Sequence, residues 1–398
     1  MVIEKEELKY YNDLKTDGFI IDWDKVFKYY NELGCPTEVY NPAELPINEA
    51  SWFVLTSERN TGKTTNLVLI AMIIYLMYGS ISAYIRQKSD MITPKELANF
   101  MNVILQYKYI EKLTDGKYNG VRYWARYFRL VRYAEDGTRE EESNPFLWCG
   151  AVNENLTYKS SLNLPLCNMI IYDEFIGADL LPNEFVSLTD LHKTIARNRF
   201  GLKIFLCANT TNYYHEFFRE LIIQEEVLNC KTGQSFIKKT PLGTHVYYKM
   251  LGDKSIKREK VNTEYYGFPN PKLKSITGGD WSVNNYPHIP PENEDDKREI
   301  LDKNHFIIFN GMLLWIKLVY TKQLGIHCII HKSTSKLRDE NIIYTVETIN
   351  QKNERYKQGT SRMDAYLWNL RKLNKWYYAD NNIGFTAEAY VNRCIKLN

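Results

Sequence analysis

Trp52-Phe53-Val54-Leu55-Thr56-Ser57-Glu58-Arg59-Asn60-Thr61-Gly62-Lys63-Thr64-Thr65 decides how this chain is read. An apolar run enters a glycine-containing loop, and a long apolar segment, Leu67 to Tyr78, leaves it. The pattern predicts strand, loop, helix. Gly62, Lys63 and Thr64 fill the last three positions of a phosphate-binding loop. Gly62 would let backbone N–H groups close around an anion, and the helix points the positive end of its dipole at the same place. Lys63 would reach the β- and γ-phosphates of a nucleotide, and the Thr64 hydroxyl would ligate Mg²⁺. Ser57 stands where such loops usually carry their first glycine. The turn there has to accommodate a side chain.

A partner carboxylate lies further along. Cys167 to Tyr172 is a buried-strand pattern that ends in Asp173-Glu174. In open α/β sheets, ligands bind outside the C-terminal ends of parallel strands, so an acid there lies beside the phosphate loop. Asp173 is suited to hold Mg²⁺ through water, and Glu174 to polarise an attacking water as general base. An adjacent water-activating base favours hydrolysis over transfer to a small acceptor.

The chain has 398 residues, room for two or three domains. Hydrophobic residues are 44% and charged residues 25%, a balance that excludes a disordered chain. A formal charge of +3 does not by itself announce a nucleic-acid binder. The 7 cysteines form no Cys-x-x-Cys pair, so no zinc-site spacing is present and a reducing cytoplasm is expected. No signal-peptide pattern opens the acidic N-terminus. The most apolar run is about 12 residues, short of the roughly 20 that a membrane helix needs.

Residues 1–50 read as an N-terminal extension. A helix is expected from Asp22 to Leu33, capped by Asp22 and stopped by Gly34, before an extended arm with Pro36, Pro42 and Pro46. Residues 51–228 alternate strand and helix, which predicts a mostly parallel sheet with helices on its faces. Ile81 to Arg86 is a second strand. Thr93-Pro94-Lys95-Glu96 is a capping box that starts a helix running to about Lys112. Tyr123 to Arg132, aromatic and basic, meets a hairpin turn at Glu135-Asp136-Gly137-Thr138. Pro145 to Val152 and Leu202 to Ala208 are further strands. Residues 229–275 hold ten basic side chains against three acidic ones. With Gly267 to Pro271 and Gly278-Gly279 they read as a basic linker extending to residue 290, suited to phosphate-backbone contact. Residues 291–398 read as a small α+β domain with strands His305 to Phe309, Met312 to Tyr320 and Ile326 to His331, a tight turn at Asn310-Gly311, and a helix from about Met363 to Lys375.

Arg59-Asn60-Thr61-Gly62-Lys63-Thr64-Thr65 resembles the phosphate loop of viral genome-packaging ATPases. The closer resemblance is to the encapsidation ATPases of small phi-29-like podophages, relatives of the large terminase ATPases. Ala83-Tyr84-Ile85-Arg86, Asn155 to Ser161, Ile171-Tyr172-Asp173-Glu174-Phe175-Ile176, Pro182-Asn183-Glu184, Ala196-Arg197-Asn198-Arg199 and Cys207-Ala208-Asn209 carry it over about residues 50–220. The resemblance implies a P-loop ATPase domain of the ASCE type, followed by an RNase H-like vestigial nuclease domain. It implies that ATP is bound by the loop from Ser57 to Thr65, including Arg59, Asn60, Thr61, Gly62 and Lys63, with Mg²⁺ at Thr64 and Asp173. Glu174 matches the catalytic glutamate. Arg197 matches an arginine finger presented to a neighbouring subunit, with Arg199 as its competitor, and Asn209 matches a γ-phosphate sensor. Arg59 and Arg86 are expected to contact phosphates or to couple subunits.

The resemblance also implies partners: double-stranded DNA, further copies of the chain in a ring (a pentamer by resemblance), the portal of a viral prohead, and a scaffold RNA as a further candidate. It places the protein in the host cytoplasm at the prohead vertex. The alternative reading is a P-loop helicase or recombination-type ATPase acting on single-stranded nucleic acid. No nuclease activity is expected. A two-metal nuclease needs clustered carboxylates to hold ions ~3.5–4 Å apart, His305 to Phe309 carries none, and Asp302, Asp339, Glu340, Glu347 and Asp364 fall mostly in expected loops.

Overall fold

The structure is a computed structural model. It describes residues 3, 5, 10–13, 16–19, 21–35, 40–57, 61–164, 166–176, 181, 183–197, 199–209, 215–252, 286–292, 294–309, 311–346, 353–355 and 361–396. The chain divides into two compact units, Met1–Gly177 with Asn183–Ser282, and Ala178–Pro182 with Val283–Asn398.

In the first unit, strands β1 (Tyr10–Asp13) and β2 (Thr16–Phe19) pair with each other as a two-stranded sheet. Helix α1 (Trp23–Glu32) is capped by Asp22, whose carboxylate accepts from the Lys25 amide at 3.0 Å. The elements that follow are β3 (Trp52–Ser57), α2 (Lys63–Tyr78), β4 (Ser82–Arg86), α3 (Pro94–Gln106), α4 (Tyr109–Thr114), β5 (Gly120–Trp124), β6 (Tyr127–Tyr133) and β7 (Arg139–Ala151). Then come α5 (Asn155–Ser161), β8 (Met169–Asp173), α6 (Glu184–Ala196), β9 (Lys203–Asn209), α7 (Glu216–Glu220), α8 (Gln224–Asn229), β10 (Ser235–Lys239) and β11 (His245–Met250).

Nine of these strands form one sheet in the order β10-β11-β3-β9-β8-β4-β7-β6-β5. The six from β11 to β7 run parallel, and β10, β6 and β5 are added antiparallel at the two edges. Parallel strands are buried on both faces, so β3, β8 and β9 read as continuous apolar runs. Helices α1 to α4 pack on one face, where α2 is apolar almost all round because α1 covers its outer side. Helices α5 to α8 pack on the other.

The stretch read as linker carries β10 and β11, and β11 lies parallel beside β3, continuing the sheet past the phosphate-loop strand. Its buried Val246-Tyr247-Tyr248 is too short a run among lysines to stand out in sequence. The helix expected to reach Lys112 breaks at Lys108, whose φ is 54°. The basic aromatic stretch is itself a hairpin, because positive φ at Ala125 and Arg126 (50° and 70°) reverses the chain between β5 and β6.

In the second unit, β12 (Glu299–Phe309), β13 (Met312–Thr321), β14 (Gly325–Lys332), β15 (Ile342–Thr345), β16 (Glu354–Arg355) and β17 (Trp376–Tyr378) form a sheet in the order β16-β15-β12-β13-β14-β17. β12, β13 and β14 are antiparallel, and the flanking strands join parallel. Helices α9 (Arg362–Lys372) and α10 (Asn381–Lys396) share a core with one face through Leu367, Trp368 and Tyr390. The expected first strand starts six residues early, at Glu299, and so contains Asp302. Register shifts on either side of Asp302 break the alternation that would have marked it. Among the described residues, no helix is long and apolar enough to cross a membrane.

Candidate active site

The ends of β3, β9 and β8 are neighbours in the sheet, and the cleft beyond them is where open α/β sheets place ligands. A cleft of about 360 Å³ is lined there by Thr61, Gly62, Lys63, Thr64, Thr65, Asp173, Glu174, Ala208 and Asn209. Gly62 has φ 77°, a conformation that suits glycine. A Cβ there would also stand 3.3 Å from the Asn66 side chain. Helix α2 begins at the next residue and turns its first amides toward the cleft. Arg59 and Asn60 lie outside the described residues.

Two carboxylates face the loop. Thr64 Oγ1 donates to Asp173 Oδ1 at 2.8 Å, a pair of hard oxygens of the kind Mg²⁺ prefers. The other carboxylate oxygen of Asp173 accepts from the Tyr84 hydroxyl at 2.8 Å and from Arg86 Nη1 at 3.2 Å. Arg86 Nη2 reaches past it to Glu174. Burial, and then the charge of Asp173, raise the Tyr84 pKa far above its ordinary value, so the hydroxyl stays a donor. Burial works against the Arg86 charge, but Tyr84, Asp173 and Glu174 together outweigh it and raise the pKa. Arg86 thus binds both acids. The reason is topological: β4 is the parallel neighbour of β8, so their C-terminal residues meet. Glu174 has φ 54°, sparsely populated for a residue with a side chain, and its carboxylate is 53% exposed at the mouth of the cleft.

Lys63, only 7% exposed, donates to the hydroxyls of Ser57 and of Thr61, the latter at 3.2 Å. Those hydroxyls also share a hydrogen bond of 2.7 Å. The side chain that replaces the usual glycine is therefore a partner of the lysine and not part of the cleft wall.

The two arginines after α6 differ. Arg199 donates to the carbonyls of Ala196, Leu164 and Ile195 at 3.0, 2.9 and 2.7 Å, closing the helix end. Arg197, at φ 47°, donates to the carbonyl of Leu162 at 2.8 Å and is otherwise exposed. At the other end of α6, Glu184 is buried and accepts from Gln87 and Tyr172. Tyr84 and Glu184 stand in stretches that carry the resemblance, but nothing in sequence marks the bonds they make, and Gln87 carries no signal at all, since a single polar residue beside a strand end is commonplace.

His215 opens α7 just beyond the chain that leaves Asn209, and its ring accepts from the Phe217 amide at 3.4 Å. Burial, and then Arg219, lower its pKa to about 3 from an ordinary 6.5. Between those values the unfolded chain binds a proton that the folded chain does not. Stability is therefore lost as pH falls from about 6.5 toward 3, by up to about 1.4 kcal/mol per pH unit. Urea midpoints measured from pH 7 to pH 4 should fall less steeply for His215→Asn, which keeps a capping side chain but cannot titrate. An unchanged slope would remove His215 as the cause.

No protein-family model matches the chain, and no curated protein matches it in sequence. Its fold is similar to that of solved viral genome-packaging motor structures. The bacteriophage phi-29 viral genome packaging motor assembly is similar over 90% of this chain and 100% of its own, at 17% identity and a TM-score of 0.54. The Phi-28 gp11 DNA packaging motor is similar over 86% of this chain and 94% of its own, at 14% identity and a TM-score of 0.49. The large terminase of the thermophilic bacteriophage D6E is similar over 93% of this chain and 98% of its own, at 10% identity and a TM-score of 0.37.

Proposed function

We propose that the chain is an ATP-driven motor that moves double-stranded viral DNA into a preformed capsid, hydrolysing ATP between neighbouring subunits of a ring. One observation carries this reading: Lys63, Thr64, Asp173, Glu174 and Asn209 share one cleft, in a fold shared with the phi-29 motor. Lys63 would leave Ser57 and Thr61 for the phosphates. Thr64 and Asp173 would hold Mg²⁺, which supplies charge neutralisation at the phosphates. Asn209 would report the terminal phosphate. Glu174, whose Oε2 accepts from Arg86, would polarise a water.

The position of Arg197 supports action on a neighbour. Glu184 touches Tyr172, the residue before Asp173. Arg197 lies beyond the far end of α6, a 13-residue helix that is about 20 Å long. An arginine that far from its own cleft is suited to another subunit's. Ring subunits, by resemblance five, would dock on the portal of a prohead in the host cytoplasm, with a scaffold RNA as a further partner. Basic side chains would grip the DNA at its phosphates, with little sequence preference and a strong salt dependence.

The second unit would be an RNase H-like domain without nuclease activity. Three antiparallel strands extended by parallel ones support that reading. Asp302 lies 3.5 Å from the ring of His305. Asp364 is buried and accepts from the Tyr344 hydroxyl, which bonds the same His305 ring at 3.0 Å. Among the described residues, no three metal-ligating side chains converge, and Glu347 lies outside them. Metal-dependent cutting of a plasmid by the full chain would contradict this part.

ATP hydrolysis by the full chain should need Mg²⁺, rise with duplex DNA at low salt, and collapse in Lys63→Ala. Stimulation by single strands alone would favour a helicase. Nucleotide binding without phosphate release, with duplex and prohead present, would overturn the motor reading.

A further inference from the structure

Helix α6 has different chemistry at its two ends. Its first residue, Glu184, is 1% exposed. It accepts from Gln87 Nε2 at 2.7 Å and from the Tyr172 hydroxyl. Gln87 directly follows Arg86, and Tyr172 directly precedes Asp173. A second acid, Glu216 of α7, accepts from the Phe185 amide at 3.3 Å. Helix α7 lies on the chain that leaves Asn209. Strands β4 and β8, whose ends carry Arg86 and Asp173, are therefore both tied to the first turn of one helix. Its other end carries Arg197.

These ties replace an ordinary cap. Asn183, before the helix, has φ 52° and makes no side-chain capping bond. A carboxylate in the first turn gains from the helix dipole and from two aimed donors. Burying one would otherwise be costly, and an apolar side chain would pack there at less expense. What the carboxylate adds is a fixed attachment. Over a rod of about 20 Å, a tilt of roughly 5° moves the far end by about 2 Å, and a misplacement of ~1 Å in a catalytic group can cost ~10²-fold.

We propose that Glu184 is the positioning residue through which the carboxylate end of one subunit's cleft sets Arg197, so that α6 carries the state of that cleft to the arginine offered to the next subunit. This rests on the reading of Arg197 as a finger acting on a neighbour. Glu184 is not among the residues that line the cleft. Its substitution should spare the subunit's own cleft and spoil the one next door.

Mixed rings of the full chain separate those effects. Glu184→Gln can still accept from one of its two donors but not from both. It should keep its melting temperature within a few degrees and its affinity for a fluorescent ATP analogue within about threefold, while hydrolysis falls at least tenfold. Mixed with Glu174→Gln subunits, it should recover activity, because one variant supplies a working cleft and the other a placed arginine. Mixed with Arg197→Ala subunits, it should not recover, because neither supplies the arginine. Tyr172→Phe, which removes one hydroxyl, should give the same pattern with a smaller loss and serves if Glu184→Gln does not fold. Unchanged hydrolysis in both variants would overturn the proposal. So would recovery with Arg197→Ala but not with Glu174→Gln, which would put the damage in the variant's own cleft. If Arg197→Ala and Glu174→Gln do not restore one another, the finger reading itself has failed, and the proposal falls with it.

Discussion

Glu174→Gln is expected to cut ATP turnover by about 10²- to 10⁴-fold, the usual share of a positioned general base, and to leave nucleotide affinity within a few-fold. The amide keeps the size of the side chain but cannot take a proton from water at neutral pH. Lys63, Thr64 and Asp173, which would hold the phosphates and the metal, are untouched, and the Thr64–Asp173 hydrogen bond of 2.8 Å does not involve Glu174. The backbone at residue 174 sits at φ 54°, a strain of order 1–3 kcal/mol that is kept where the surroundings fix it for a purpose. Phosphate release in a single turnover, beside analogue binding by fluorescence, gives both numbers. A variant that keeps more than a tenth of the rate would place water activation elsewhere.

Arg197→Ala should cost about 10³–10⁵ in hydrolysis, the range of arginine fingers in phosphate-loop enzymes. Its Leu162 contact is one hydrogen bond at a helix end, so little stability should go with it. Arg199→Ala is the control. It removes a side chain bonded to three carbonyls, each net bond being worth about 0.5–1.5 kcal/mol. It should lower the melting temperature more than Arg197→Ala while sparing turnover in the folded protein. The reverse pattern would make Arg199 the finger.

The phosphate-loop strand, its helix and the Asp173 strand were legible because buried parallel strands and the helix between them are long apolar runs, broken only where the ligand residues stand. Strands β10 and β11 were not. Val246 to Met250 pairs with Trp52 to Thr56, about 190 residues away, and nothing local marks a six-residue strand that borrows its order from such a partner. The start of β12 was lost in its bulge at Asp302. At the site, residue types at motif spacing located the cleft side chains. The attachment of Arg86 to both acids depends on which strands are neighbours. The burial of Glu184 depends on where α6 lands against β8 and Gln87. Neither pairing leaves a trace in the order of residues.

The most direct test is electron microscopy of the full chain with a slowly hydrolysed ATP analogue, Mg²⁺ and duplex DNA. The expected result is a closed ring around the duplex, with each nucleotide held by Lys63 and Thr64 of one subunit and approached by Arg197 of the next. Nucleotide enclosed within single subunits, with Arg197 far from every phosphate, would contradict it.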